Sequence, residues 1–251
     1  MQDFFCNFVI MKKTYFNWSS GKDSALALYK VLQAKEYGVD LLITNVNEEF
    51  ERVSMHGLHE NLLDKQAESI GIKLQKNYFP ADVTMDLYNK LMQEKMETLL
   101  DQKYTHAIFG DIFLEDLKKY REAKLAEVGV KGVFPLWKID TKKVLQEFLE
   151  LGFKAITVCV NAKLLGKDFV GRVIDQQFID DLPENVDVCG ENGEFHTFVF
   201  DGPLFSFPID FEIGEKVLKS YTLHDDDDDN CHQAKDTNYD TSFWYCDLKL
   251  K

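Results

Sequence analysis

From Thr14 onward, short runs of β-branched and aromatic residues alternate with longer segments whose apolar positions recur at helical spacing. The runs Thr14–Trp18, Asp40–Val46, Lys73–Tyr78, Thr105–Phe109, Gly132–Leu136 and Lys154–Val160 lack the polar alternation of a half-solvated sheet. They are predicted to be strands covered on both faces. Between them Ala25, Leu28 and Leu32 fall at i, i+3 and i+7, and Leu63, Ala67 and Ile70 at i, i+4 and i+7, each set making one apolar helix stripe. Tyr88, Leu91, Met92, Met96 and Leu99 follow the same rule. So do Val144, Leu145, Phe148 and Leu149, a segment opened by Thr141 as N-cap and closed by Gly152. Strands joined by helical crossovers run parallel, so residues 12–160 are predicted to form an α/β domain with a doubly wound parallel sheet.

After about Val160 the texture changes. Helical periodicity persists weakly through Arg172–Asp181, Gly, Pro and aromatic residues dominate from Pro183 to Pro208, and Ser242–Leu250 reads as a closing strand. Residues 161–251 are therefore predicted to form a smaller α+β region that binds the substrate. The five carboxylates Asp225–Asp229 read as a solvated loop, because no Gly or spaced ligand pattern of a calcium site accompanies them. The apolar run Phe4–Met11 is followed, not preceded, by Lys12 and Lys13 and is too short for a span or a signal peptide, which makes Met11 an alternative start.

Composition narrows the function classes. With 45% hydrophobic and 29% charged residues the 251-residue chain is ordinary globular material, neither disordered nor membrane-embedded. The formal charge of −14 repels phosphate backbones, so a nucleic-acid partner is not expected and a metabolite or protein substrate is. Cys6, Cys159, Cys189, Cys231 and Cys246 form no C-x-x-C pair, which predicts neither zinc nor disulfides and points to a soluble, cytoplasmic protein.

The candidate chemistry begins at Ser19-Ser20-Gly21-Lys22-Asp23-Ser24, between the first strand and the first helix, where an α/β fold presents backbone N–H groups to an anion. Small residues at Ser19, Ser20 and Gly21 let the backbone curl round phosphate oxygens, Lys22 supplies a cation, and the Ser24 hydroxyl donates. Asp23 would repel a phosphate unless a cation such as Mg²⁺ sits between them, so the segment predicts a metal–phosphate complex. The plainer alternative is a Ser/Gly turn capping a helix, with Asp23 and Ser24 as first-turn residues. It is not a Walker A loop, since the first required Gly falls on Phe16 and Asp23 takes the Ser/Thr position.

SSGKDS resembles the SGGKDS loop of the ATP pyrophosphatases, the PP-loop or adenine nucleotide α-hydrolase-like proteins, with Ser20 where that pattern has Gly. Asn45–Glu49, Val53–Gly57, Gly110–Asp116, Phe134–Trp137, Cys189–Phe198 and Asp201–Phe205 look like the signature segments of the diphthine–ammonia ligase family, in its short bacterial-type members. Bacteria are not expected to make diphthamide, so the acceptor stays open. The resemblance implies a HUP-like sheet, ATP and Mg²⁺ as cofactors, and an AMP-forming ligation. In that reaction a carboxylate, that of diphthine on elongation factor 2 in the family, is adenylated and then amidated by ammonia. In that reading Ser19, Ser20, Gly21, Lys22 and Ser24 hold the phosphates, and Asn45, His56, Gly110, Asp111 and Arg121 line the nucleotide pocket. Asp23 and Asp111 hold the metal, and Glu194 or His196 takes the proton from ammonium. Asp111 reads equally as the cap of the next helix, and Cys189 with His196 would make a thiol–imidazole pair that lacks a third orienting residue. Two rivals stand beside this reading: a regulator that binds ATP without turning it over, and a PP-loop enzyme acting on tRNA, for which the acidic chain is poorly suited.

Overall fold

The computed structural model describes residues 11–53, 56–80, 83–222 and 240–251. The apolar run from Phe4 to Ile10 with Cys6, Ser54 and Met55 of the Val53–Gly57 stretch, the run Asp225–Asp229, and Cys231 lie outside the described residues.

Both faces of the first strands are apolar because both are covered. On β1 (Lys12–Asn17) and β2 (Tyr37–Asn47), Phe16 and Leu42 join a core with α1 (Lys22–Ala34), α2 (Glu60–Ile70) and α5 (Thr141–Glu150). The alternate residues Tyr15, Leu41 and Ile43 pack instead with Met96 and Leu99 of α3 (Met85–Asp101) and Leu125 of α4 (Glu115–Glu127). β4 (Lys73–Phe79) flanks β2, while β5 (His106–Ile108) and then β6 (Lys131–Val133) flank β1, all in parallel; the two-residue β3 (Arg52–Val53) closes antiparallel on the end of β2. Counted in chain order, the parallel strands stand 3-2-1-4-5 across the sheet. The chain winds outward from β1 in one direction and then in the other, so a crevice opens beyond the C-terminal ends of β1 and β5.

A second sheet is antiparallel, in the order β8 (Phe195–Asp201), β7 (Lys154–Asn161), β10 (Asp240–Leu250), β9 (Phe211–Thr222). The Lys154–Val160 run, expected as a sixth parallel strand, is β7 of this sheet. Its unbroken burial from Ala155 to Val160 reads alike in either sheet, because the two strands that pair with it, β8 and β10, both lie downstream. The two sheets share one core, in which Phe16 and Leu28 join Phe148, Ile156 and Phe198.

Other local expectations shift. The N-cap of α5 is Asp140, whose carboxylate accepts from Lys143 N–H at 3.2 Å, while Thr141 turns its hydroxyl to Asp187 Oδ1 at 2.7 Å. β6 stops at Val133 because Phe134 leaves the sheet to stack on Phe109, ring centroids 5.3 Å apart. The stretch Arg172–Asp181 condenses to the short α6 (Gln176–Asp181), capped by Asp175. No helix among the described residues is long and apolar enough to cross a membrane.

One buried polar side chain on α2 joins the layers. Gln66, fully buried, donates to Ser20 O at 3.1 Å and Val199 O at 2.6 Å and accepts the Trp18 indole N–H at 3.0 Å. Gln66→Leu keeps the volume but strands the buried indole N–H, so it is expected to cost about 2–3 kcal/mol. Urea unfolding should show the midpoint falling with the slope unchanged.

Candidate functional site

The crevice is built first by backbone. Asn17 ends β1 and donates from Nδ2 to Ile108 O at 3.1 Å, tying the C-terminal ends of β1 and β5 together. Ser20 then takes the left-handed conformation, φ 71°, which turns the chain into α1. Its carbonyl accepts from Val199 N–H at 3.0 Å as well as from Gln66. The glycine of the resembled pattern belongs at this position for that reason, and Ser20 bears both the strain and a buried hydroxyl with no hydrogen-bond partner. Around it Ser19 Oγ and Ser24 Oγ share a 2.7 Å hydrogen bond, Gly21 N–H donates to Ser19 Oγ at 3.3 Å, and Lys22 N–H donates to Thr197 Oγ1 at 3.0 Å.

The β5 side closes on the same turn. A Cβ on Gly110 would stand 2.9 Å from Ser24 N and 3.0 Å from Asp23 C, so only bare backbone fits against the start of α1. Asp111 follows, with its Oδ2 3.0 Å from Arg121 Nε, and the Arg121 guanidinium lies 4.4 Å over the Phe109 ring. The helix-cap alternative for Asp111 does not hold, because α4 begins at Glu115 with Leu114 at the N-cap position.

The second sheet supplies the opposite wall through residues 187–194. Asp187 Oδ2 accepts from Cys189 N–H at 3.0 Å and Glu191 N–H at 3.2 Å. Glu194, buried, accepts from Asp187 N–H at 3.0 Å, from Asn192 N–H at 2.9 Å and from the Asn192 amide at 3.0 Å. Its oxygens therefore hold the loop in shape. Glu191 reaches across, accepting from Ile112 N–H at 2.7 Å, one residue beyond Asp111.

Lys22, also buried, lies between these walls. Its Nζ donates to Asp23 Oδ2 at 2.8 Å and to Cys189 O, and burial, which would lower its pKa, is outweighed by the carboxylate of Asp23, so the ammonium stays charged. Burial pushes the Glu191 carboxyl up to about 7, helped by Asp23 and Asp111 and opposed by Ile112 N–H and Lys22. Burial also raises the Asp23 carboxyl against Lys22, with Asp187 adding to the rise. The Cys189 thiol is pushed up by burial and donates to Thr141 O at 3.3 Å, the opposite of an activated nucleophile.

His56 and His196, drawn from distant segments, come together with ring centroids 4.6 Å apart. Burial, then His56 and Lys22, hold His196 neutral well below the ordinary histidine range. Asn45 donates to Tyr88 OH at 3.2 Å and accepts from Asn77 at 3.4 Å, on the α3 side of β2. Among the described residues, no group of three or more His, Cys, Asp or Glu is arranged to hold a metal by itself.

Against known proteins, a family model described as the diphthamide synthase N-terminal domain matches residues 11–132, and one described as the diphthamide synthase C-terminal domain matches residues 140–224. The chain belongs to the diphthamide synthase family. The join between the two matched stretches falls just after β6, where the parallel sheet ends. The diphthine–ammonia ligase of Danio rerio is 30% identical over 170 residues, covering 63% of this chain and 64% of that protein. That of Bos taurus is 31% identical over 147 residues, covering 55% of this chain and 52% of that protein. The chain thus spans between about half and two thirds of the length of these curated relatives. The solved U34-tRNA thiolase NcsA from Methanococcus maripaludis overlays with a TM-score of 0.35 and 22% identity over 57% of this chain and 59% of that one, too slight to bear on fold or function.

Three residues of this site, Gln66, Thr197 and Asp187, escape a reading of local sequence. Gln66 shows only as a polar residue inside an apolar helix stripe, and Thr197 only as one small residue in an aromatic strand. Asp187 and Glu191 sit in a loop whose two left-handed glycines, Gly190 and Gly193, signal a turn without saying which carboxylate faces inward. Ser20→Gly removes the left-handed strain and the unpartnered hydroxyl, and is expected to raise stability by about 1 kcal/mol, or ~2–4 °C in Tm. For Glu191 the raised pKa means a contribution to folding fully present below the ordinary value of 4.5 and lost as pH rises through about 7. Glu191→Gln should therefore be more stable than the parent by roughly 2 kcal/mol at pH 8, with the gap closing towards pH 4. Thermal melts across that range read the difference.

Proposed function

We propose that the crevice binds ATP with its phosphates over the Ser19–Ser24 turn, transfers AMP to a carboxylate, and lets ammonia displace AMP to leave an amide. The observation that carries this reading is the position of the turn. It sits at the switch point of the sheet, sealed by Gly110 and holding one buried, charged lysine. A carboxylate is a poor electrophile, and adenylation gives it a good leaving group; its oxygen attacks the α-phosphorus and pyrophosphate departs. Lys22 exchanges its contacts with Asp23 and Cys189 O for phosphate oxygens, while Ser19, Gly21 and Ser24 contribute hydroxyl and backbone donors.

The carboxylates suit a hard cation by their charge rather than as a ready-made cage. Asp23 and Glu191 act on the buried Lys22 ammonium, Asp111 pairs with Arg121 and adds to the field at Glu191, and the crowding that raises Asp23 and Glu191 would be relieved by added positive charge. Asp23 and Asp111 would hold Mg²⁺, which supplies charge neutralisation at the departing pyrophosphate. Between the two proton acceptors considered, the geometry favours His196, which is neutral and lies tilted against the His56 ring, over Glu194, whose oxygens are engaged by the loop it holds. The acceptor is taken to be a diphthine-type carboxylate, by analogy with the relatives.

With α-labelled ATP, Mg²⁺, ammonium and a pool of carboxylates and proteins, the labelled product should be AMP and should depend on an acceptor fraction. Lys22→Ala and Asp23→Ala should each lower turnover at least ~100-fold in chains shown by circular dichroism to be folded. Labelled ADP would overturn the reading, and ATP binding with no product in any pool would favour the regulator.

A further inference from the structure

The antiparallel sheet has two edges, and they differ. The β8 edge is covered, because Val199 N–H donates to Ser20 O at 3.0 Å and Val199 O accepts from Gln66 at 2.6 Å. At the other edge β9 runs for 12 residues, the longest strand described, and among the described residues it pairs only with β10. Along it Ile213, Val217 and Leu218 are 54%, 38% and 49% exposed. A bare edge of this length invites another strand unless it is blunted by charge, proline or a bulge.

β9 does carry charges, and its pairing with β10 shifts register between Ile213 and Lys216, but the order of its charges is self-complementary. In Glu212-Ile213-Gly214-Glu215-Lys216-Val217-Leu218-Lys219 the acids lie towards one end and the lysines towards the other. Pairing of one strand edge with its own copy requires a twofold axis perpendicular to the sheet, which places one residue type against itself. An axis through Glu215 or Lys216 sets like charges face to face, and one through Leu218 makes no ion pair. An axis through Val217 sets Val217 against Val217 and Glu215 of each copy against Lys219 of the other, with Leu218 over the aliphatic stem of Lys216 on the opposite face.

We propose that β9 docks a second copy of this chain, antiparallel and centred on Val217, joining the two antiparallel sheets into one. The surface lies one strand from the site: Val217 registers with Tyr245 of β10, and a Cβ on Gly57, beside His56, would stand 2.8 Å from the Tyr245 ring.

Sedimentation equilibrium on the full chain at about 1–100 µM tests this. An interface of this size lies at the small end of specific contacts, so a micromolar dimer is expected, with twice the 29.1 kDa chain mass at the upper concentrations. Glu215→Lys and Lys219→Glu should each weaken the dimer at least ~10-fold, and the double reversal should restore it to within about 3-fold. The two positions are about 13 Å apart along one strand, so that rescue reads contact between chains rather than within one. Val217→Cys should cross-link on oxidation beyond the parent chain, since facing residues of antiparallel strands fall within disulfide reach, whereas Leu218→Cys should not. A chain monomeric at 100 µM, a dimer indifferent to both single reversals, or equal cross-linking at positions 217 and 218 would overturn the proposal.

Discussion

The Ser20 carbonyl accepts hydrogen bonds from β8 and from α2, and the candidate site depends on that one buried oxygen. A strand that ends at a helix must turn, and here the turn is made by a single left-handed residue with its side chain sealed in the core. The two donors that hold it come from elements far away in sequence, Val199 and Gln66. The turn is therefore rigid only when both sheets are in place. The parallel sheet supplies the crevice and the antiparallel sheet supplies the clamp.

Charge is organised round that clamp with the same economy of parts. One ammonium, Lys22, is buried among Asp23, Asp187 and Glu191, and each carboxylate is spent partly on shaping the protein. Asp187 gathers Cys189 and Glu191 N–H groups, and Glu191 reaches the backbone after Asp111. The result is a pocket with surplus negative charge held in low dielectric, where a polyphosphate is tolerable only together with a cation. Lys22 is already engaged by Asp23 and the Cys189 carbonyl, so under the proposed function its pairing would be exchanged for phosphate, coupling nucleotide entry to the 187–194 loop.

The same economy extends outward through β10. Tyr245 leans on Gly57, Arg52 pairs with Asp247 at 3.0 Å and donates to Gly57 O at 2.6 Å, and these contacts fix the segment that carries His56 against His196. A strand of the second sheet thus sets the rim of a pocket whose floor belongs to the first.

What the sequence determined by itself was local. The alternation of Tyr15 with Phe16 and the helical stripes of α1, α2 and α5 depend on neighbours a few residues away, so the doubly wound sheet and the anion-ready turn after β1 were legible. Glycine at 110 and the Ser19–Ser24 run were legible for the same reason. Tertiary structure decided the rest, because it depends on pairings across the chain. These include the sheet to which β7 belongs, the hydrogen bond of Asn45 to Tyr88, and the way Glu194 braces its own loop while Glu191 reaches the backbone of Ile112. A carboxylate's role follows from how much water it loses and which N–H groups find it. In one dimension Glu191 and Glu194 are nearly indistinguishable; folded, one is braced by its own loop and the other shares a buried field with Lys22 and Asp23.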